Sequence, residues 1–281
     1  MPFIMKKIKT DRGSIPLFEF NCVESTQRMA KALYDRYKYD TYVVWAKEQL
    51  KGRGRRKRAW HSPVGGLYFS LFLENLKGVK SPQLISLASG LAIRETLIRV
   101  ASVSCDLKWP NDVLYQDKKL CGILSEAASC GSDVHSVVVG VGINVNAEVV
   151  SELKDIAVCI KGIIGYELDL RRLLALSVER LLARIKQLET TEGQKEIIAS
   201  YKKYCTTLGS TVTLILDEGT VTGQAVDITQ EGTLQVLVSG QLHSIATGDV
   251  IHVRKGGDAI AFDRIGQDKR LSSQAGSGGP Q

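Results

Sequence analysis

The chain has 281 residues, 44% hydrophobic and 24% charged, the composition of an ordinary globular protein with room for one large domain and one small. No apolar stretch reaches the roughly 18 residues that cross a bilayer, and the lysines of residues 1–9 precede no apolar signal core, so membrane and secreted classes are set aside and a cytoplasmic protein is expected. Of the net charge of +7, Lys51, Arg53, Arg55, Arg56, Lys57 and Arg58 supply six units within eight residues; removing them leaves +1, so the chain carries one anion-seeking loop and not a spread nucleic-acid-binding face.

In chain order, residues 17–23 read as a strand. Ser25 and Thr26 then offer an N-cap for a helix to about Tyr37. Residues 41–46, β-branched and aromatic, form a second strand, and residues 49–66 a long connection rich in Gly and Arg. Residues 67–73 (LYFSLFL) read as a buried strand. From Ser81-Pro82, apolar residues at helical spacing (Leu84, Leu87, Leu91, Ile93, Leu97, Val100) predict a helix that starts at Pro82. Short strands are expected near residues 106–108, 113–115, 120–127 and 134–145. A two-helix region follows, whose stripe Leu170, Leu173, Leu174, Leu181, Leu182, Ile185 and Leu188 faces a core.

After Cys205 the texture changes. Five short β-type runs within residues 208–253, punctuated by glycines, predict a small antiparallel barrel. The domain boundary is placed near Thr206, giving units 1–206 and 207–255, and residues 256–281 read as a disordered tail. The expected class is α+β: a mixed sheet with packed helices, then the barrel. The six cysteines form no C-x-x-C pair and the four histidines no H-E-x-x-H, so buried reduced thiols are expected and no tightly bound metal.

Three segments carry chemistry. The first is Gly52-Arg53-Gly54-Arg55-Arg56-Lys57-Arg58-Ala59-Trp60. Its glycines admit close backbone approach, its arginines present forked donors to carboxylate or phosphate, and its tryptophan offers a stacking surface. A solvated basic loop remains the plain alternative, and no Walker A pattern occurs. The second is Lys108-Trp109-Pro110-Asn111-Asp112, followed by Lys119 one residue ahead of the strand that begins at Leu120, where an amine reaches an anion at the strand's edge. Its alternative is a simple turn. The third, VVVGVGINVN over residues 137–146, fails the dinucleotide fingerprint at Val145; two glycines in a strand suit a ligand lying flat on the backbone, or a plain buried strand with a bulge.

Together these segments resemble the biotin protein ligases. That family's Ser-Thr pair, GRGRRGR-x-W loop, KWPND, K-L-x-G-I-L-x-E and G-x-G-I-N stand in order as Ser25-Thr26, residues 52–60, 108–112, 119–126 and 140–144. The match covers about residues 18–146. Lys57 replaces the loop's third glycine, and Gln27 stands where Asn is usual.

The resemblance implies a biotin/lipoate ligase-like catalytic domain with an SH3-like barrel behind it. It implies that biotin's carboxylate attacks the α-phosphorus of ATP to give biotinyl-5′-AMP, and that a lysine on the carrier domain of acetyl-CoA carboxylase, or another biotin-dependent carboxylase, then takes the biotin. By motif position, Arg55, Arg58 and Lys119 hold the reacting carboxylate and phosphate. Ser25, Thr26, Gln27, Gln49, Arg53, Gly54, Arg55, Lys119, Gly122 and Gly140 bind biotin. Arg55, Arg58, Trp60, Asn111, Lys119 and Asn144 bind ATP, with Trp60 stacked on adenine. Mg²⁺ is expected to travel with ATP, Asp112 being the candidate to approach it. A homodimer is compatible with this reading; nucleic acid and membrane are not expected partners. A lipoate or octanoate attachment enzyme of the same fold is the nearer alternative, but lacks the paired loop and KWPND. A biotin-responsive repressor is the other, and the 17 residues ahead of Phe18 are short for a helix-turn-helix unit.

Overall fold

A computed structural model describes residues 3–10, 13–130, 133–216, 219–246 and 249–252; the expected tail at 256–281 lies outside the described residues. The elements are β1 (Ile4–Thr10), β2 (Gly13–Val23), α1 (Thr26–Tyr37), β3 (Thr41–Gln49), β4 (Leu67–Glu74) and α2 (Pro82–Ala101). Then come β5 (Asp106–Lys108), β6 (Asp112–Tyr115), β7 (Lys118–Cys130), β8 (Asp133–Ile143), α3 (Ile160–Ile164), α4 (Leu170–Gln187) and α5 (Thr191–Tyr204). The chain continues with β9 (Thr211–Leu216), β10 (Gly219–Ile228), β11 (Leu234–Val238), β12 (Gln241–Ile245) and β13 (Asp249–His252).

Eight strands form one sheet in the order β1-β2-β3-β4-β8-β7-β6-β5. The β2–β3 pair is parallel, as a crossover through α1 requires, and the other pairs are antiparallel, so the sheet is mixed as expected. Strand alternation sorts its two faces. On β4, Leu67, Phe69, Leu71 and Leu73 join a large core with α2, α4 and α5, while Phe72 joins the smaller core under α1. The α4 stripe behaves as predicted: Leu173, Leu174, Leu181, Ile185 and Leu188 are buried in the large core, with Leu170 and Leu182 packed on its margin. Each such side chain contributes about 1.5–3 kcal/mol by leaving water.

Strand β1 was not anticipated, because IMKKIKT is mostly polar and exposed; only Ile8 is buried. It pairs with β2 along its whole length, and charge adds to that hold. Glu19 on β2, 6% exposed, takes Lys6 of β1 at 2.9 Å and Arg171 of α4 at 2.6 Å. Burial alone would raise the Glu19 pKa, but hydrogen bonds and charge from Arg171 and Lys6 outweigh it and hold the carboxyl below its usual range. The folded-state pKa is depressed, so the clip's stabilisation is present above the unfolded value of about 4.3 and is lost as pH falls through the folded one. Glu19→Gln is therefore expected to lower stability at neutral pH by about 1.5–3 kcal/mol. Urea melts across pH should show the gap from wild type closing in acid; a gap constant down to acid pH would refute the clip.

The five runs of residues 208–253 form the five strands of an antiparallel sheet, in the order β12-β11-β10-β9-β13. This small sheet docks on the large unit through Trp109, which is 1% exposed. Trp109 N donates to Thr207 Oγ1 (3.0 Å) and its indole Nε1 donates to Gly232 O (3.0 Å), while Ser81 Oγ donates to Glu231 O (2.5 Å).

Candidate active site

Residues directly opposed in antiparallel strands share a face. One cross-strand row on the α1 side runs Lys108–Asp112–Gly122–Gly142–Tyr68, over β5, β6, β7, β8 and β4. The neighbouring row is Leu124–Gly140–Ser70. The glycines make a flat floor, as the third segment suggested, but protein side chains cover it. A Cβ built on Gly142 falls 2.4 Å from Trp60 Nε1, one on Gly122 falls 2.9 Å from Trp60 Cζ3, and one on Gly140 falls 2.4 Å from Gln27 Oε1. Above the floor lies a cavity of about 440 Å³, within the usual size of small-ligand sites. All the residues singled out in the sequence line it: Ser25, Thr26, Gln27, Gln49, Arg53, Gly54, Arg55, Arg58, Trp60, Asn111, Asp112, Lys119, Gly122, Gly140 and Asn144.

One end is a neutral hydrogen-bonding wall. Gln49 Oε1 accepts from Thr26 N (2.8 Å) and Thr26 Oγ1 (3.1 Å), and Gln49 Nε2 donates to Ser62 Oγ (3.0 Å), which donates to Trp60 O (3.0 Å). Ser70 Oγ, with one proton, stands 2.9 Å from Thr26 Oγ1 and 3.2 Å from Gln27 Oε1. The Gln27 amide donates to Leu124 O and Val138 O, so the longer side chain knits β7 to β8 where it lines the cavity. Ser25 is the N-cap of α1 in position, yet its hydroxyl caps nothing. That Oγ is buried with no hydrogen-bond partner among the described residues, the kind of group a polar ligand completes.

The other end is cationic. The loop folds as a narrow hairpin: Trp60 N donates to Gly52 O, Gly54 N to Arg58 O and Arg58 N to Arg55 O. Gly52 is required, because a Cβ there falls 2.4 Å from Trp60 O. Arg56 (φ 50°) and Lys57 (φ 62°) are left-handed, a conformation that costs a residue with a Cβ roughly 1–2 kcal/mol. Lys57 is the position where the related loop has glycine. Lys57→Gly is expected to stabilise the hairpin by about 1 kcal/mol, slowing hydrogen exchange at the Gly54 and Trp60 amides several-fold; faster exchange would contradict it.

Among the described residues, six lysines and arginines and one carboxylate, Asp112, line the cavity. Lys51 pairs with Glu24 (2.6 Å), Arg53 with Glu126 (3.5 Å) and Lys119 with Asp112 (2.7 Å). Arg55 Nη1 donates to Asn111 Oδ1 at 3.4 Å.

Lys119 does not precede its strand. It lies inside β7, beyond a bulge: Val113 opposes Cys121 but Leu114 opposes Lys119, so Leu120 is an extra residue. The bulge turns Lys119 to the floor side and lets the adjacent Leu120 and Cys121 both enter the core. Cys121 is therefore no nucleophile, since burial pushes its thiol well up. Both asparagines line the cavity while their amides also bond to the strands around it. Asn111 Nδ2 donates to Ile123 O, and Asn144 Nδ2 to Lys119 O and Val158 O. Asp112 Oδ1 is held by Lys119 at 2.7 Å, and no group of three or more metal-binding side chains occurs among the described residues. No helix there is long and apolar enough to cross a membrane.

Sequence reasoning passed over Gly142, Ser70, Glu126 and Val250 as site residues. Gly142 and Glu126 stood inside motifs already noted, and strand parity alone places both on the floor side. Nothing local marks Val250, which reaches the cavity from the small sheet.

Residues 19–144 match the model of the Biotin/lipoate A/B protein ligase family, and residues 207–253 that of the Biotin protein ligase C terminal domain. The chain is 34% identical over 221 residues to a Mycobacterium tuberculosis protein named Biotin--[acetyl-CoA-carboxylase] ligase, covering 76% of this chain and 80% of that one. It is 32% identical over 248 residues to the Bifunctional ligase/repressor BirA of Bacillus subtilis, covering 86% and 76%. Among solved structures, the biotin protein ligase of Aquifex aeolicus in complex with biotin and ATP superposes with a TM-score of 0.72 and 32% identity, covering 83% of this chain and 97% of that one.

Proposed function

This chain belongs to the biotin protein ligase family, and from that premise we infer that it activates biotin with ATP and transfers the biotin to a carrier lysine. The carrier is the biotin carboxyl carrier domain of acetyl-CoA carboxylase or a related biotin-dependent carboxylase. The observation that carries the reading is the division of one cavity into a neutral hydrogen-bonding end and an end crowded with cations.

The neutral wall of Ser25, Thr26 and Gln49 suits biotin's uncharged ureido head, and the unpartnered Ser25 hydroxyl is the donor or acceptor it would complete. Biotin's carboxylate is already an anion, so the first step needs no general base. Its obstacle is repulsion from the triphosphate. Preorganised cations reduce that repulsion, and Arg55, Arg58 and Lys119, which line the cavity, would supply them. A carboxylate oxygen bonds to the α-phosphorus, the bond to the bridging oxygen breaks, and pyrophosphate leaves with the electron pair. The carrier's amine then attacks the anhydride carbonyl, and AMP leaves.

Trp60, lying on Gly122 and Gly142, presents its other side to adenine. Magnesium is expected to arrive bound to the triphosphate, since hard cations of this kind suit phosphate oxygens. We take residues 1–206 as the catalytic unit and 207–255 as the small domain. A homodimer is compatible with this reading, to be checked by sedimentation. Label transfer from labelled biotin to a carboxylase carrier domain, dependent on MgATP, tests the function; MgATP-independent or absent transfer would refute it.

A further inference from the structure

We propose that Glu126 is a positioning residue for the basic loop: its carboxylate fastens Arg53 to the sheet and to α1, and by holding the hairpin down it keeps biotinyl-5′-AMP in the cavity until the carrier arrives. The inference rests on the ligase reading above and assigns a task to a residue that does not itself line the cavity.

Glu126 continues the floor side of β7. Gly122, Leu124 and Glu126 alternate onto one face. Glu126 opposes Val138, which opposes Phe72, so it stands in the row beyond Leu124–Gly140–Ser70. Both of those neighbours belong to the smaller core under α1. A carboxylate in such a place needs partners, and each of its oxygens meets a cation. Oε2 lies 2.9 Å from Lys31 Nζ of α1, and Oε1 lies 3.5 Å from Arg53 Nη2 of the loop. Burial raises the Glu126 pKa, but hydrogen bonding and charge from Lys31, a hydrogen bond with Gln27 and the charge of Arg53 outweigh it. The carboxyl therefore titrates below its usual range and is ionised at neutral pH. One group thus joins the helix that carries Thr26 and Gln27, the strand under the site and the loop over it.

Arg53 is the point at which such a hold counts. It pairs with Ala59 across the hairpin, between the bond from Trp60 N to Gly52 O and the bond from Gly54 N to Arg58 O. Fixing Arg53 therefore fixes both arms, and Trp60 with them. The hairpin supplies residues 52–55 and 58–62 of the cavity wall, so a hairpin that lifts opens that side. A loop with six positive charges within eight residues is suited to a carboxylate anchor. A second ion pair at this loop, Lys51 with Glu24, has side chains 66% and 45% exposed, where water leaves little of the attraction. The Glu126 pair is better shielded, with the carboxylate 25% and Arg53 32% exposed.

The test uses the full chain. Single-turnover synthesis from labelled biotin and MgATP gives the rate of adenylate formation. A chase with unlabelled biotinyl-5′-AMP, with no carrier present, gives its dissociation. Glu126→Gln keeps the shape and an acceptor for Gln27. It should speed dissociation about tenfold while leaving formation at saturating substrates within about threefold. Arg53→Met should speed dissociation at least as much, and adding Glu126→Gln to it should cost no more than about twofold further. Lys31→Met, which leaves the Arg53 contact in place, should keep dissociation within about twofold of wild type. Unchanged dissociation in Glu126→Gln, full additivity with Arg53→Met, or a Lys31→Met variant as leaky as Glu126→Gln would overturn the proposal. Equal loss in formation and retention would make Glu126 merely structural and overturn it too. If Glu126→Gln fails to fold, Arg53→Met and Lys31→Met decide alone, and unchanged release in Arg53→Met overturns it. A wild-type chain that forms no biotinyl-5′-AMP would instead refute the ligase reading itself.

Discussion

Lys119→Met should slow formation of biotinyl-5′-AMP by about 10²–10³-fold, the usual cost of removing one preorganised charge from a reacting centre. The loss has two parts. One is the missing ammonium at the carboxylate and α-phosphate. The other is Asp112, whose carboxylate is bonded at 2.7 Å by Lys119 and would lose that partner in the path of a polyanion. Removing one partner of such a pair costs more than removing both. The double variant Asp112→Asn/Lys119→Met should therefore be about tenfold faster than Lys119→Met alone, although it carries more changes. Single-turnover measurement of adenylate decides it. A double variant as slow as, or slower than, the single one would show that Asp112 does not repel the substrate.

A comparable loss, by a different route, is expected from Gly142→Val. Even a single Cβ at this position would come within 2.4 Å of Trp60 Nε1 and 2.7 Å of Cε2. The indole must rise off the floor, and the surface offered to adenine goes with it. Base stacking on an aromatic side chain is worth about 1–3 kcal/mol, so KM for ATP should rise about 10- to 100-fold. Biotin affinity should hold, because the wall of Thr26, Gln49 and Ser70 lies one row away. The melting temperature should also hold, since the displaced ring belongs to a loop and not to either core. Adding Gly142→Val to Trp60→Ala separates two explanations in calorimetry: no further loss means that valine acts through the tryptophan, whereas an additional loss means that it fills ligand space directly.

These two positions also show what local patterns convey. That Gly140 and Gly142 lie in a strand open to close approach is readable from VVVGVGINVN, because periodicity and the absence of side chains are properties of the segment itself. What approaches them is not readable: Gln27 and Trp60 come from elsewhere in the chain. The strands of the small sheet were legible through their glycine punctuation, and α2 through its spacing and Pro82. Strand β1 was not, because pairing with β2 and charge to Glu19 hold it, and those partners are known only once the sheet exists. The second task of the asparagines is hidden for the same reason. In sequence they look available, and in the fold their amides close gaps between strands. Lys119 is the sharpest case. Its type and neighbourhood were legible, but the face it occupies depends on one extra residue that no propensity marks.

The bulge at Leu120 has a further consequence, which concerns insertions and deletions and not substitutions. Parity, not residue type, decides which side of β7 the lysine faces. Exchanging Leu120 for another apolar residue leaves the count intact. Deleting it would restore plain alternation with Lys119 beside Cys121 and still on the floor side, so the loss would be one core side chain and not the lysine, without altering a single charge in the chain. Straightening the bulge with Leu120 retained would instead swing Lys119 into the core shared with Cys121 and turn a binding group into a buried, unsolvated one. The irregularity itself, more than the number of residues between Asp112 and Gly122, is thus what keeps the lysine on the site side.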